Sequence, residues 1–262
     1  MEMIEEQIEK VAQLIVNAKK IIIFTGAGVS TESGIPDFRG PDGLWRKYDP
    51  EDFTIDRFLS DRGVRKKHWE LLTGNEFGVP DAKPNSAHYA IAELESMGKL
   101  YGVITQNVDG LHQKSGVSEK MVFELHGSLT HAKCLQCTER YPIGQVREWL
   151  KLGLDEPQCP ACAGMLKPDA VFFGEQLPLG VLMESEHRSR TCDLCIVLGS
   201  TLVVYPAASM PQYALRSGAK LVIINMGPTA MDELASVRME AKAGEVMPRI
   251  IARAKDKLNL NA

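Results

Sequence analysis

The chain has 262 residues, 30 Lys and Arg against 34 Asp and Glu, a net charge of −4, and a hydrophobic fraction of 44%. A chain of this length buries most of the surface that its unfolded state exposes, and its apolar fraction and small net charge exclude a disordered protein. The acidic balance argues against a protein held on nucleic acid by phosphate neutralisation and is compatible with a basic peptide partner.

In chain order, Ile4, Ile8, Val11 and Ile15 have a helical spacing, closed by the favourable charge of Lys19 and Lys20. The run KIIIF at 20–24 predicts a strand buried on both faces and leads directly into Thr25-Gly26-Ala27-Gly28. A helix follows over 86–97, capped by Asn85 or Ser86 with Gly98 beyond its end. Then come a strand at 100–104, a short helix at 109–114 and a strand at 121–125. After a cysteine-rich stretch the rhythm resumes with a strand at 170–173, a helix near 178–189 and a strand at 194–198. A helix at 207–217, a strand at 221–224 and a last helix near 244–258 complete it. This alternation predicts an α/β fold, a Rossmann-like doubly wound parallel sheet.

Two segments break the rhythm. Residues 37–82 show no clear strand, and residues 132–163 hold four cysteines without a long helical pattern. The expected organisation is one domain, 1–262. Its Rossmann-like lobe comprises 1–36, 83–131 and 164–262. The smaller lobe is made of a helical, cofactor-loop insert (37–82) and a zinc module (132–163). No run of 18 apolar residues suits a membrane span, and the opening MEMIEEQIEK is acidic where a secretory signal is basic. The expected location is cytoplasmic, where cysteines more readily hold metal or fill core than pair as disulfides.

The strongest local signal is Cys134-x2-Cys137 followed, after 21 intervening residues, by Cys159-x2-Cys162. Two such knuckles place four thiolates around one ion, and four sulfur ligands leave no position for water, so the zinc is structural. The spacing falls just beyond the usual zinc-ribbon window. The alternatives are two reactive dithiols or four core cysteines. Cys192 and Cys195 repeat the C-x2-C pattern inside a predicted strand and are read as core.

The stretch GAGVSTESG at 26–34 follows a buried strand. Its glycines permit close backbone approach, and its amides can cradle a pyrophosphate. It departs from the dehydrogenase fingerprint: the third glycine position holds Thr31. Where an acid should bind the ribose about 20 residues on, the sequence reads Leu44-Trp45-Arg46-Lys47. Asn225 is read as either a ribose ligand or a strand-end turn residue. Polar groups also cluster at 105–112, at His126-Gly127 and at Gly199-Ser200-Thr201, each following a predicted strand, where ligands of open α/β sheets bind. His126 is the best general base among them, while His68, His88, His131 and His187 are read as structural.

The set GAGVSTESGIPDFRG, TQNVDGLH, His126-Gly127, the four-cysteine module, VFFGE at 171–175, GSTLVVYP at 199–206 and IIN at 223–225 resembles the sirtuin family of NAD-dependent protein-lysine deacylases, in the family's order and over nearly the whole chain. The resemblance implies a cofactor site of Gly26, Ala27, Gly28, Thr31, Phe38, Arg39, Gln106, Asn107, Val108, Asp109, Gly199, Ser200, Thr201, Asn225 and Val246. Phe38 would sit near the nicotinamide–ribose bond, Asp109 would hold the carboxamide, Asn225 the adenosine ribose, and Val246 would lie by the adenine. His126 would be the catalytic base, with Asn107 beside the reacting ribose. Val171, Phe172, Phe173, Gly174 and Glu175 would take the acyl-lysine peptide as an added strand. The implied co-substrate is NAD, the metal one structural zinc, and the partner an acetylated-lysine protein, with no direct nucleic acid or membrane contact. Oligomeric state is not legible, and a monomer is the default.

Relatives that remove succinyl or malonyl groups carry Tyr-x-x-Arg in the helical insert. The corresponding stretch here, WELLTGN at 69–75, has no such pair, which predicts small neutral acyl groups, chiefly acetyl. The competing readings are protein mono-ADP-ribosyl transfer from the same pocket and a zinc-ribbon nucleic-acid module. The net charge and the lack of an aromatic-basic stripe weigh against the second.

Overall fold

A computed structural model describes residues 2–40, 43–73, 82–153 and 156–260. Helix α1 (Glu2–Asn17) leads into β1 (Ile21–Thr25) and a 3-10 turn over Ala27–Ser33. Then come α2 (Ile55–Ser60), α3 (Arg62–Thr73), α4 (Ser86–Ser96), β2 (Leu100–Thr105), α5 (Leu111–Lys114) and β3 (Val122–Glu124). The small lobe supplies β4 (Gly127–Cys134), β5 (Arg140–Pro142), α6 (Ile143–Lys151) and β6 (Leu166–Ala170). The chain closes with α7 (Leu179–Thr191), β7 (Leu194–Leu198), α8 (Ser209–Arg216), β8 (Lys220–Ile224), β9 (Val237–Met239) and α9 (Ala243–Leu258).

Six strands form a parallel sheet in the order β3-β2-β1-β7-β8-β9. Taken within that sheet alone, the order is 3-2-1-4-5-6, the doubly wound arrangement whose switch point lies between β1 and β7. Every residue of β1 is buried. Its alternation divides the core: Ile21 and Ile23 face the cluster built with α1, α4 and α9, whereas Ile22 and Phe24 join the cluster built with α7 and α8. Cys192 and Cys195 belong to the second cluster. Burial pushes the Cys192 thiol up to about 12 and Cys195 well above its ordinary value, so both are core residues.

The second sheet is antiparallel, in the order β5-β4-β6. It carries its own core, where Trp69 and Leu72 of α3 pack against Ala132, Cys134, Val146, Cys159 and Leu166.

Four local expectations need correction. The strand placed at 170–173 is not in the parallel sheet: β6 ends at Ala170, pairs antiparallel with β4, and Phe173 makes only a bridge to Thr54. The apolar run VFF matches strand periodicity, but its partner is the insert. Residues 132–163 contain a nine-residue helix, α6, whose pattern is too short to stand out. The short edge strand β9 was not anticipated. Lys19 and Lys20 lie beyond α1, and their backbone N–H groups donate to the Asp193 carboxylate at 2.9 and 3.0 Å.

Candidate active site

At the switch point the loops after β1 and β7 cross in backbone contact. Gly26 N–H donates to Leu198 O, and Gly28 N–H donates to Gly199 O at 3.0 Å. A Cβ on Gly26 would lie 2.7 Å from Gly199 O, and one on Gly28 would lie 2.8 Å from Gly199 Cα. Gly199 itself has φ 61°, and a Cβ there would collide with Val29 N. Only glycines permit this crossing. The result is a cradle of close-set backbone between two strand ends, the form a dinucleotide phosphate requires. Asn85 ties α4 to it: its amide donates to Val29 O at 2.8 Å and Ser33 Oγ at 3.0 Å. Thr31 is exposed and donates to Gly28 O.

The β2 end supplies a buried polar layer beneath the cradle. Asn107 Nδ2 donates to Gly26 O and Ser30 Oγ, both at 3.2 Å, and Ser30 Oγ donates to Asp109 Oδ2 at 2.7 Å. Thr25 Oγ1 donates to Thr105 Oγ1 at 2.7 Å and lies 3.0 Å from His112 Nε2. Ser200 Oγ donates to Gln106 Oε1 at 3.3 Å, and the buried Gln106 Nε2 has no protein partner among the described residues. A buried amide donor left over at the cradle suits an oxygen-rich ligand such as a ribose or pyrophosphate. Thr105 and His112 fall in the polar stretch at 105–112 but were given no site role from the sequence, and neither were Thr25 and Ser30. Their signal was the same polar density at strand ends.

Asn225 closes β8, and its amide donates to Met226 O and Gly227 O, fixing the loop beyond. Arg238 donates to Asn225 O and pairs with Asp232 across the same loop. Val246 is buried in the core under the first turn of α9. Val108 accepts from Leu129 N–H through its carbonyl, joining the β2 end to β4.

His126 follows β3. Its Nδ1 lies 3.1 Å from Gln106 O. A carbonyl only accepts, so Nδ1 carries the proton and Nε2 keeps its lone pair. Burial lowers the imidazole below its ordinary value, opposed by the Gln106 carbonyl. A neutral imidazole with a bare Nε2 is a competent base at neutral pH.

Aromatic residues of the insert converge near the VFFGE segment. Trp45 lies 5.1 Å from Phe38, 5.1 Å from Phe53 and 6.0 Å from Phe173, centroid to centroid. This places Phe38 and Phe173 on one apolar wall and adds Trp45, which the sequence offered only as a missing acid. Arg39 is exposed on the same stretch. Phe173 N–H donates to Phe53 O, and Phe173 O accepts from Ile55 N–H, so one edge of the segment is held by the insert. Val171 N–H donates to His126 O at 2.8 Å, which seats the segment against the base.

The four cysteine sulfurs lie within 4.8 Å of one another, with Cys134–Cys162 and Cys137–Cys159 each at 3.5 Å. A tetrahedral zinc with bonds of about 2.3 Å spaces its sulfurs about 3.8 Å apart, so the cluster fits the ion. Thr138 and Ala163, each just after a knuckle, take left-handed backbone (φ 65° and 58°). Amides of Gln136 and Cys137 point at Cys134 Sγ, and Tyr141 Oη is 3.2 Å from Cys159 Sγ. These contacts hold the ligands in place.

A six-stranded doubly wound sheet with a glycine cradle at its switch point, a buried neutral histidine at the same end of the sheet and an appended four-thiolate module fits a dinucleotide-dependent enzyme with a structural zinc lobe. A sequence model of the Sir2 family matches residues 26–206, and the chain belongs to that family. It is 44% identical to NAD-dependent protein deacetylase 1 of Pyrobaculum aerophilum, over 97% of each chain. A solved Sir2 enzyme superposes with a TM-score of 0.87 at 45% identity, over 97% of this chain and 99% of that one. A Sir2 complex with a p53 peptide and NAD+ superposes at 0.83, with 38% identity over 95% of this chain and 97% of that one.

Proposed function

We propose that this chain removes acetyl groups from protein lysines with NAD as co-substrate, giving nicotinamide and O-acetyl-ADP-ribose, and that one zinc ion stabilises its small lobe. The observation that carries the reading is His126, a neutral base with a bare Nε2 at the same end of the sheet as the glycine cradle. The deacetylase activity of the Pyrobaculum relative and the peptide and NAD+ held by a structural neighbour support it.

NAD supplies the ribose carbon that takes the acyl oxygen as nicotinamide leaves. The chain's own residues do the rest. Gly26, Ala27, Gly28, Gly199, Ser200 and Thr201 bind the phosphate region, and Gln106 and Asn107 orient the reacting ribose. Asp109, held by Ser30 and by Leu111 N–H at 2.9 Å, is fixed to receive the carboxamide, with Val108 beside it. Thr31, Phe38 and Arg39 line the outer wall, and Asn225 and Val246 the adenosine end. Phe38, Trp45 and Phe173 exclude water from the reacting carbon. His126 Nε2 takes a ribose hydroxyl proton. Residues 171–175 pair with the peptide backbone on the edge away from the insert.

Trp69 and Leu72, at the start of the stretch that carries Tyr-x-x-Arg in desuccinylases, are both buried against the zinc module. Gly74 and Asn75 lie outside the described residues. Neither Trp69 nor Leu72 carries the hydroxyl or the cation that would hold an acidic acyl group, which supports acetyl as the preferred substrate. Cysteine pairs gathered to hold a metal fit a reducing compartment, the cytoplasm; no helix among the described residues is long and apolar enough to cross a membrane.

The test mixes the protein, NAD and acetyl-lysine or succinyl-lysine peptides, then measures nicotinamide and peptide mass. Acetyl loss matched by nicotinamide release is expected. Nicotinamide release with a modified protein and an intact acetyl peptide would establish ADP-ribosyl transfer instead. Faster removal of succinyl would overturn the acyl preference.

A further inference from the structure

Lys167 is a lysine in the wrong place for a surface charge. It is 5% exposed, on β6, and its Nζ donates to Pro168 O at 2.9 Å and Ala170 O at 2.5 Å. The same Nζ lies 2.9 Å from Glu175 Oε2 and 4.2 Å from the centre of the Phe172 ring. Burial lowers its pKa, and Glu175 opposes that. A buried ammonium is retained only where acceptors surround it.

The charged acceptor, Glu175, and the Phe172 ring belong to the segment read above as the peptide-binding strand, while Pro168 and Ala170 lie on β6 just before it. Glu175 Oε2 also accepts the Phe172 N–H at 2.7 Å, and Glu175 N–H donates to Phe172 O at 3.0 Å. The 172–175 turn is therefore closed by a carboxylate whose position Lys167 sets. The Phe172 ring is further stacked by His68 at 4.7 Å. On the small-lobe side, Lys167 pairs in register with Lys133, next to Cys134. One residue thus joins the two, its backbone paired with the zinc module and its side chain with the substrate segment.

We propose that Lys167, acting through Glu175, is a positioning residue that presets the peptide-binding segment. It contacts no substrate. It uses the Phe172 backbone to close the turn and so presets the Gly174 end of the segment to meet the peptide without a further ordering cost. The proposal rests on the deacetylase reading for the identity of the ligand.

The experiment measures binding of a fluorescein-labelled acetyl-lysine peptide by anisotropy, and of NAD by calorimetry, on the zinc-loaded protein. In Lys167→Met the peptide Kd should rise about tenfold, the size expected when one charge-assisted contact is lost, with NAD affinity within about twofold of wild type. Glu175→Gln should weaken peptide binding in the same direction. The double variant should be no weaker than Lys167→Met alone, because the two act as a unit. Unchanged peptide Kd, additive losses in the cycle, or parallel loss of peptide and NAD affinity would overturn the positioning role. If Lys167→Met does not fold, Glu175→Gln decides by the same comparison of the two ligands. Wild-type protein that neither binds nor deacetylates the peptide would instead overturn the functional reading, and the positioning role with it.

Discussion

The single histidine at 126 has its chemistry set by one carbonyl. Gln106 O holds the proton on Nδ1, and burial lowers the pKa, so the base form persists below the usual imidazole range. Kcat/KM should therefore fall only on an acid limb below the ordinary histidine value, as a pH–rate profile will show. His126→Ala should lower kcat by about 10²–10⁴-fold without unfolding the protein. His88 does different work. It is fully buried, accepts from Asn85 N–H, and desolvation lowers its pKa to about 4, with Asp109 opposing. The unfolded chain binds a proton below about 6.5 while the folded chain does not. Stability is then fully present above 6.5 and lost as pH falls from there towards 4, by roughly 3 kcal/mol for this residue. His88→Gln should flatten that part of the Tm–pH curve measured by calorimetry.

Elements position these residues through two kinds of close contact. Where β1 and β7 end, glycines let the loops cross. Gly28→Ala should cost about 1–3 kcal/mol, since its Cβ would meet Gly199 Cα, and should weaken NAD binding in a calorimetric titration. In the small lobe the knuckles gather thiolates that would otherwise repel one another. Cys134→Ala should lose zinc by metal analysis and lower Tm, because metal binding and local folding are coupled. A fully folded variant lacking only turnover would refute a structural role for the ion. Both features were legible as spacing: glycines directly after a buried run, and paired C-x2-C. The strand expected at 170–173 was misplaced for a physical reason. Val171, Phe172 and Phe173 have strand-like character, but Phe173 is satisfied by Phe53 and Ile55 of the insert, 120 residues earlier in the chain or thereabouts. Local pattern carries no record of such a partner.

At the scale of the molecule, the cores are distinct. The parallel sheet is packed by α1, α4 and α9 on one face and α7 and α8 on the other, while Trp69 and Leu72 fasten the insert to the zinc module. Chelation of zinc should therefore raise hydrogen exchange across β4, β5 and β6 and leave β1, β7 and β8 protected. Equal loss of protection in both sheets would show that the two cores unfold as one. The proposed active site draws on both: His126 and the glycine cradle from the large sheet, residues 171–175 and Lys167 from the boundary with the small one.

The sequence by itself determined the family, the alternating α/β order and the four-cysteine cluster, and it offered His126 as the candidate base, because each is written in short-range motifs: buried β-branched runs, glycines at a strand end, cysteine pairs, a histidine after a strand. Tertiary structure alone decided how these meet. It set the crossing of Gly28 with Gly199, the tautomer of His126, the addition of Trp45 to the apolar wall, and the burial of Lys167 against Glu175. Those depend on groups far apart in the chain, and only packing brings their atoms within hydrogen-bond or contact distance.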